Sequence, residues 1–242
     1  MNLIIDVGNT RVKAAVYEKD TCLEQFVFSV GRIISETKKI LKKHQINSGI
    51  ISSVAKISSK KKEKMLQLVN FIELNAQTKV PFKNLYATPK TLGVDRIALV
   101  SAAVNQYPQK NVLIIDAGTC VTFDFVNNNK EYLGGAISLG VKMRFKSLNA
   151  FTSNLPLIEK NYPNHFIGNS TTTSIQSGVI NGICKEIDGV INQYNQQFQD
   201  LTVVLTGGDT YFLAKQLKSS IFANPNFILE GLNTILIYNK DE

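Results

Sequence analysis

Cysteine, histidine and long apolar runs are scarce in this 242-residue sequence, and each shortage removes a class of function. The three cysteines, Cys22, Cys120 and Cys184, lie far apart and form no C-x-x-C pair. They offer neither a disulfide framework nor a zinc site, and they suit a reducing compartment. The two histidines, His44 and His165, and the lack of a G-x-S-x-G elbow argue against a serine or cysteine hydrolase triad. Acid–base work then falls mainly to carboxylates. No run approaches the roughly 18 apolar residues of a membrane span. Asp6 also interrupts the apolar start where a signal peptide would continue. A cytoplasmic protein with no membrane partner is expected. The glycine signatures of a P-loop and of a Rossmann turn are missing as well.

What is present is an ordinary globular composition, 44% hydrophobic and 19% charged, which excludes wholesale disorder and allows one large domain or two small ones. The formal charge is +8, and much of it is local. Lys38, Lys39, Lys42 and Lys43 surround His44, and Lys60, Lys61, Lys62 and Lys64 form a second group. The first group falls opposite an apolar stripe of Ile33, Ile34, Ile40 and Leu41, as on a solvated helix face. No aromatics are interleaved to stack on bases, so a nucleic-acid partner is not expected. A polyanionic small cosubstrate would benefit from the same positive field.

The most informative feature is a repeat. LIIDVGN at 3–9 returns as LIIDAGT at 113–119. Around the first copy the pattern predicts strands at Leu3–Asp6, Val12–Tyr17 and Leu23–Val30, a helix over 31–44, a strand at Gly49–Val54, a helix near 58–69 and a short strand at Phe71–Leu74. Residues 76–92 read as irregular, and a helix follows over 93–106. The second copy opens strands at Val112–Asp116, Cys120–Val126 and Tyr132–Ser138 and a helix over 140–152. A long helix over 172–196 follows, with the Thr171–Ser174 cluster able to cap it, and then a strand at Val203–Leu205. A helix, a strand at Phe227–Leu229 and a last helix end the pattern. An α/β protein of two related lobes, 1–110 and 111–242, is expected.

One Asp-x-Gly-Asn-Thr needs no more explanation than a tight hairpin, because glycine and asparagine accept positive φ. Two copies at matched places in two lobes facing across a cleft suggest more. Each glycine lets backbone N–H groups come close to a phosphate. Asn9, Thr10 and Thr119 add donors, and Asp6 and Asp116 offer hard oxygens for magnesium or its bound waters. The expectation is an ATP polyphosphate gripped from both sides.

The motifs DVGNT (6–10), GVDR (93–96), DAGT (116–119), GGAI (134–137), GNSTTTSIQSG (168–178) and TGGD (206–209) stand in the order seen in type III pantothenate kinases, also called the Bvg accessory factor family. The resemblance runs from Leu3 to about Asp209. It implies the duplicated actin-like, ribonuclease-H-like fold, with two lobes around a nucleotide cleft. It also implies phosphorylation of pantothenate by ATP to 4'-phosphopantothenate, the first step towards coenzyme A. A homodimer and a requirement for magnesium and for a monovalent cation, potassium or ammonium, come with it.

Residue by residue, the resemblance makes Asp95 the general base, although an acid in a helix's first turn also suits the helix dipole. It puts ATP against Asp6, Val7, Gly8, Asn9, Thr10, Arg11, Val12, Lys13 and Thr119, and pantothenate against Tyr86, Gly93, Val94, Asp95, Arg96 and Thr171. Arg96 could pair with the pantothenate carboxylate or with an internal acid. Tyr86 could equally be a packing tyrosine, and Thr171 a helix cap crowded by Thr172 and Thr173. Asp116 matches the monovalent-cation ligand and Asp6 a water-mediated magnesium ligand, though the residues alone do not separate the two ions at Asp116. The GGD turn fits a nucleotide approach or a plain strand–helix turn. One departure is Leu139-Gly140, where the family commonly has Pro-Gly, which lowers the expected stiffness of that turn. The rival readings are a kinase of the same fold with another small substrate and a non-catalytic transcription accessory factor.

Overall fold

The computed structural model describes residues 1–54 and 58–240. β1 (Asn2–Val7) is buried at every position, Asn2 and Asp6 included, which with the apolar run Leu3–Ile5 marks a central strand. It pairs with β2 (Val12–Glu18) in an antiparallel hairpin, and β2 pairs with β3 (Thr21–Phe28), whose alternating exposure is that of a strand with one wet face. α1 (Ile33–Lys43) buries Ile33, Thr37 and Ile40, one stripe at helical spacing, and leaves its lysines to solvent. β4 (Ser48–Ser53) then lies parallel to β1, and β5 (Phe71–Glu73), reached through α2 (Ser59–Leu66), lies parallel to β4. The sheet order is β3-β2-β1-β4-β5.

A two-residue strand β6 (Lys83–Asn84) and a 3-10 turn at Pro89–Thr91 interrupt the segment expected to be irregular, and lead to α3 (Val94–Gln106). The chain then repeats itself. β7 (Asn111–Ala117), β8 (Cys120–Val126) and β9 (Glu131–Leu139) are followed by α4 (Val141–Ala150), α5 (Thr171–Gln197), β10 (Leu201–Thr206), α6 (Thr210–Ala214) and β11 (Phe222–Ala223). The second sheet runs β11-β10-β7-β8-β9-β6. Read from β9, the order β9-β8-β7-β10-β11 is the order of the first sheet over again. The α/β class and the duplication expected from the sequence are both present.

By packing, residues 1–109, 126–133 and 226–242 form one compact unit and 110–125 with 134–225 the other. The first has a core of Leu3, Ile5, Val7, Val12, Val16 and Ile33 with their neighbours, the second one of Leu113, Ile115, Phe123, Phe125, Ile183 and Ile187 with theirs. The last helix, α7 (Phe227–Tyr238), belongs to the first unit and packs on α3, β1 and β4. A Cβ at Gly231 would stand 1.9 Å from the Ala98 carbonyl oxygen, so α3 and α7 touch backbone to backbone.

Two expectations change. Phe227–Leu229 is the first turn of α7 and no strand. Three consecutive apolar residues fit either period, and the buried set continues at Leu232, Ile235 and Leu236, which is helical spacing. The cap of α5 is Ser170, just before the threonine cluster: its hydroxyl accepts from the Thr173 N–H, and Thr173 Oγ1 accepts from the Ser170 N–H at 3.0 Å. Among the described residues no helix is long and apolar enough to cross a membrane.

Candidate active site

In the first unit, β1 ends in Asp6-Val7 and the chain turns at Gly8, whose N–H donates to the Arg11 carbonyl at 3.1 Å. Val12 and Lys13 then pair back onto Val7 and Asp6. Asn9, Thr10 and Arg11 are exposed at the tip. Asp6 itself is only 8% exposed, and the Ser52 hydroxyl donates to its Oδ1 at 2.7 Å. Burial is the largest influence on this carboxyl and pushes its pKa up to about 6. The Ser52 hydrogen bond and Lys13 hold it down, and the charge of Asp95 pushes it further up. Asp6 and Asp95 are therefore electrostatic neighbours, 89 positions apart in sequence by the difference of their numbers.

Asp95 lies in the first turn of α3, behind Gly93 as N-cap and Val94 as first helical residue. Its Oδ1 accepts from the Arg96 N–H at 2.9 Å. Arg96 is 5% exposed, and its guanidinium carbon lies 5.6 Å from the Tyr86 ring centre and 6.0 Å from that of Tyr132. The two rings stack with centres 6.0 Å apart, and Phe82 meets Tyr132 edge-on at 6.1 Å. Tyr86, Gly93, Val94, Asp95 and Arg96 are thus brought to one place, the entry of α3, with Tyr132 beneath them.

In the second unit, Asp116 is half-buried near the end of β7, Gly118 donates to the Cys120 carbonyl at 2.9 Å, and Thr119 is exposed in the turn. Gly207 has φ +98°, and a Cβ there would stand 2.4 Å from Asp116 Oδ1 and 2.5 Å from the Ala117 carbonyl, so the residue must be glycine. Asp209 N–H donates to that same Ala117 carbonyl at 2.9 Å, and Asp209 pairs with Lys160. The GGD turn therefore seats directly on the DAGT turn. The Leu139-Gly140 corner does so too, through Gly140 N–H to Thr119 O at 3.2 Å. Arg144 braces this corner: its Nε donates to the Leu139 carbonyl at 2.8 Å, and Nη2 donates to Ser138 and Glu186. Thr171 is the exposed first residue of α5, and with Thr173 engaged in the cap, Thr171 and Thr172 are the threonines outside it.

Among the described residues no group of three His, Cys, Asp or Glu side chains could hold a metal ion. The donors that exist are single carboxylates beside glycine turns. They fit an ion held chiefly by phosphates and water, or by carbonyls, and do not fit an all-protein cage. The sequence reading missed Ser52 and Tyr132. Ser52 is one of three serines in a strand with no motif around it, and Tyr132 stands two residues before GG with nothing in the sequence to tie it to Arg96.

A sequence profile of type III pantothenate kinases matches residues 2–193. The chain belongs to the type III pantothenate kinase family. Relatives named type III pantothenate kinase include one from Christiangramia forsetii, 51% identical with all of both chains covered, and one from Flavobacterium johnsoniae, 46% identical over 100% of this chain and 99% of that one. Among solved structures, a protein described as a Baf family transcriptional activator from Campylobacter jejuni superposes with TM-score 0.65 at 22% identity, covering 99% of this chain and 100% of that one. A ROK family glucokinase from Streptomyces griseus, solved with glucose and AMPPNP, gives TM-score 0.55 at 12% identity, covering 100% and 99%. At such identities the structures speak for the fold alone, which is the duplicated actin-like fold that the family resemblance implied and with which the repeat agrees. The family assignment favours a kinase over the accessory-factor rival.

Proposed function

We propose that this protein transfers the γ-phosphoryl group of ATP to the primary hydroxyl of pantothenate, giving 4'-phosphopantothenate and ADP. The observation that carries the reading is the pairing of two acids in one unit. Asp6 sits at the phosphate turn and Asp95 close enough to act on its charge, beside a guanidinium framed by aromatic rings. Asp95 accepts the hydroxyl proton as the oxygen attacks the γ-phosphorus, and the bond to the ADP oxygen breaks. The turn from Asp6 through Lys13 and Thr119 are assigned to ATP. Tyr86, Gly93, Val94, Arg96 and Thr171 are assigned to pantothenate, with Arg96 facing its carboxylate.

Magnesium, when bound, neutralises phosphate charge, with Asp6 reaching it through water. Asp116 is assigned to a monovalent cation, potassium or ammonium, together with carbonyls of its turn; the close seat of Gly207 leaves the Ala117 carbonyl beside it. The repeat boundary is taken at 110/111, where the Asp-bearing hairpin starts again. The enzyme is read as a cytoplasmic homodimer.

A coupled assay of ADP release tests the reading. Pantothenate should support turnover in potassium chloride and much less in tetramethylammonium chloride. Glucose and acetate should support none. Turnover with a sugar and none with pantothenate would move the protein to another acceptor. Sedimentation equilibrium reads the dimer.

A further inference from the structure

We propose that Ser52 is a positioning residue that fixes the Asp6 carboxylate for magnesium–nucleotide binding, an inference that rests on the assignment of Asp6 to the nucleotide's metal. The parallel register of β1 and β4 sets Asp6 directly beside Ser52. Ser52 is 1% exposed, and its hydroxyl donates to Asp6 Oδ1 at 2.7 Å. A buried carboxylate can rotate about its last torsion unless something holds one of its oxygens. The hydrogen bond at Oδ1 fixes the plane of the carboxylate, and with it the direction in which its remaining lone pairs would meet a magnesium-bound water. Outer partners of this kind orient the groups that meet a metal.

The duplication supplies an independent parallel. β10 lies beside β7 as β4 lies beside β1, and the residue in register with Asp116 is Thr206, also a hydroxyl residue and also buried. A hydroxyl next to the acid is thus present at the same position of both repeats, where packing alone would be met by alanine or valine. In the sequence the pair reads only as Ser52 in IISS and Thr206 before GGD, with no local sign of a shared role.

Ser52→Ala removes the donor with the loss of one oxygen, and Ser52→Thr keeps it. Calorimetry with the β,γ-imido analogue of ATP, with and without magnesium, reads the effect without pantothenate, so it decides Ser52 even if the acceptor is another alcohol. In Ser52→Ala, affinity in magnesium should fall at least about fivefold while metal-free affinity stays within about twofold. Ser52→Thr should stay within about threefold of the parent in both conditions. In steady-state assays the loss in Ser52→Ala should fall on kcat and on KM for ATP, with KM for pantothenate unchanged. Unchanged magnesium-dependent affinity in Ser52→Ala would overturn the proposal. So would equal losses in both conditions accompanied by a lowered Tm, which would make Ser52 a packing residue.

Discussion

On the proposed reading Asp95 takes the acceptor's proton and Asp6 serves the nucleotide's metal, and single substitutions should separate those two roles. Asp95→Asn keeps the shape and removes the base. Its kcat should fall at least about tenfold, a loss of more than about 1.4 kcal/mol of transition-state stabilisation, with little change in ATP affinity measured by calorimetry. Asp6 should behave in the opposite way with respect to stability. Its folded-state pKa, about 6, lies above the 3.8 of an unburied aspartate. Asp6 therefore favours folding at pH below about 4, where it is protonated in both states, and that contribution is lost as pH rises through about 6. At pH 8 the buried charge is a burden, and Asp6→Asn, whose amide oxygen can still accept from Ser52, should stabilise the ligand-free protein by about 1–3 kcal/mol. Melting curves at pH 8 and pH 4 check this, since the gain should vanish in acid. Asp6, Asp95 and Asp116 stood out in the sequence because each stands in a motif. Ser52 did not, because its meaning comes from the neighbouring strand.

Strands and helices were legible wherever the period was long enough to read. The hairpins beginning at β1 and β7 announced themselves by a repeated apolar run ending in Asp-x-Gly, and α1 by a stripe opposite lysines. The failures are short or terminal: Phe227–Leu229 offers three residues to judge a period, and the true cap of α5 stands one residue before the threonines that drew attention. That cap is open to test. Ser170→Ala should cost about 1 kcal/mol and raise amide exchange over Thr172–Ser174 without disturbing the helix centre. If pantothenate reaches Thr171, its KM should rise in the same variant. The α3–α7 contact makes a sharper case. Gly231→Val would drive a branched side chain into the Ala98 carbonyl, and a loss of about 1–3 kcal/mol or more in urea unfolding is expected.

At the scale of the whole molecule, the duplication was visible in LIIDVGN and LIIDAGT, and the matching strand orders of the two sheets bear it out. What no local pattern could reveal was the destination of the last helix, because hydrophobicity says that a helix is buried and not which sheet it covers. α7 returns to β1, where Asn233 accepts from the Asn2 amide at 3.1 Å and donates to the Lys19 carbonyl at 2.8 Å. This return has a consequence for biosynthesis. The ribosome must make every residue from 110 to 225 before it makes the helix that closes the first unit. The nascent amino-terminal sheet therefore waits, with the flank of α3 uncovered, until α7 has been made. Cutting the chain before Asn226 should accordingly spare protease resistance in the unit nearest the cut and abolish it in the distant one, an outcome that limited proteolysis with mass spectrometry would read directly.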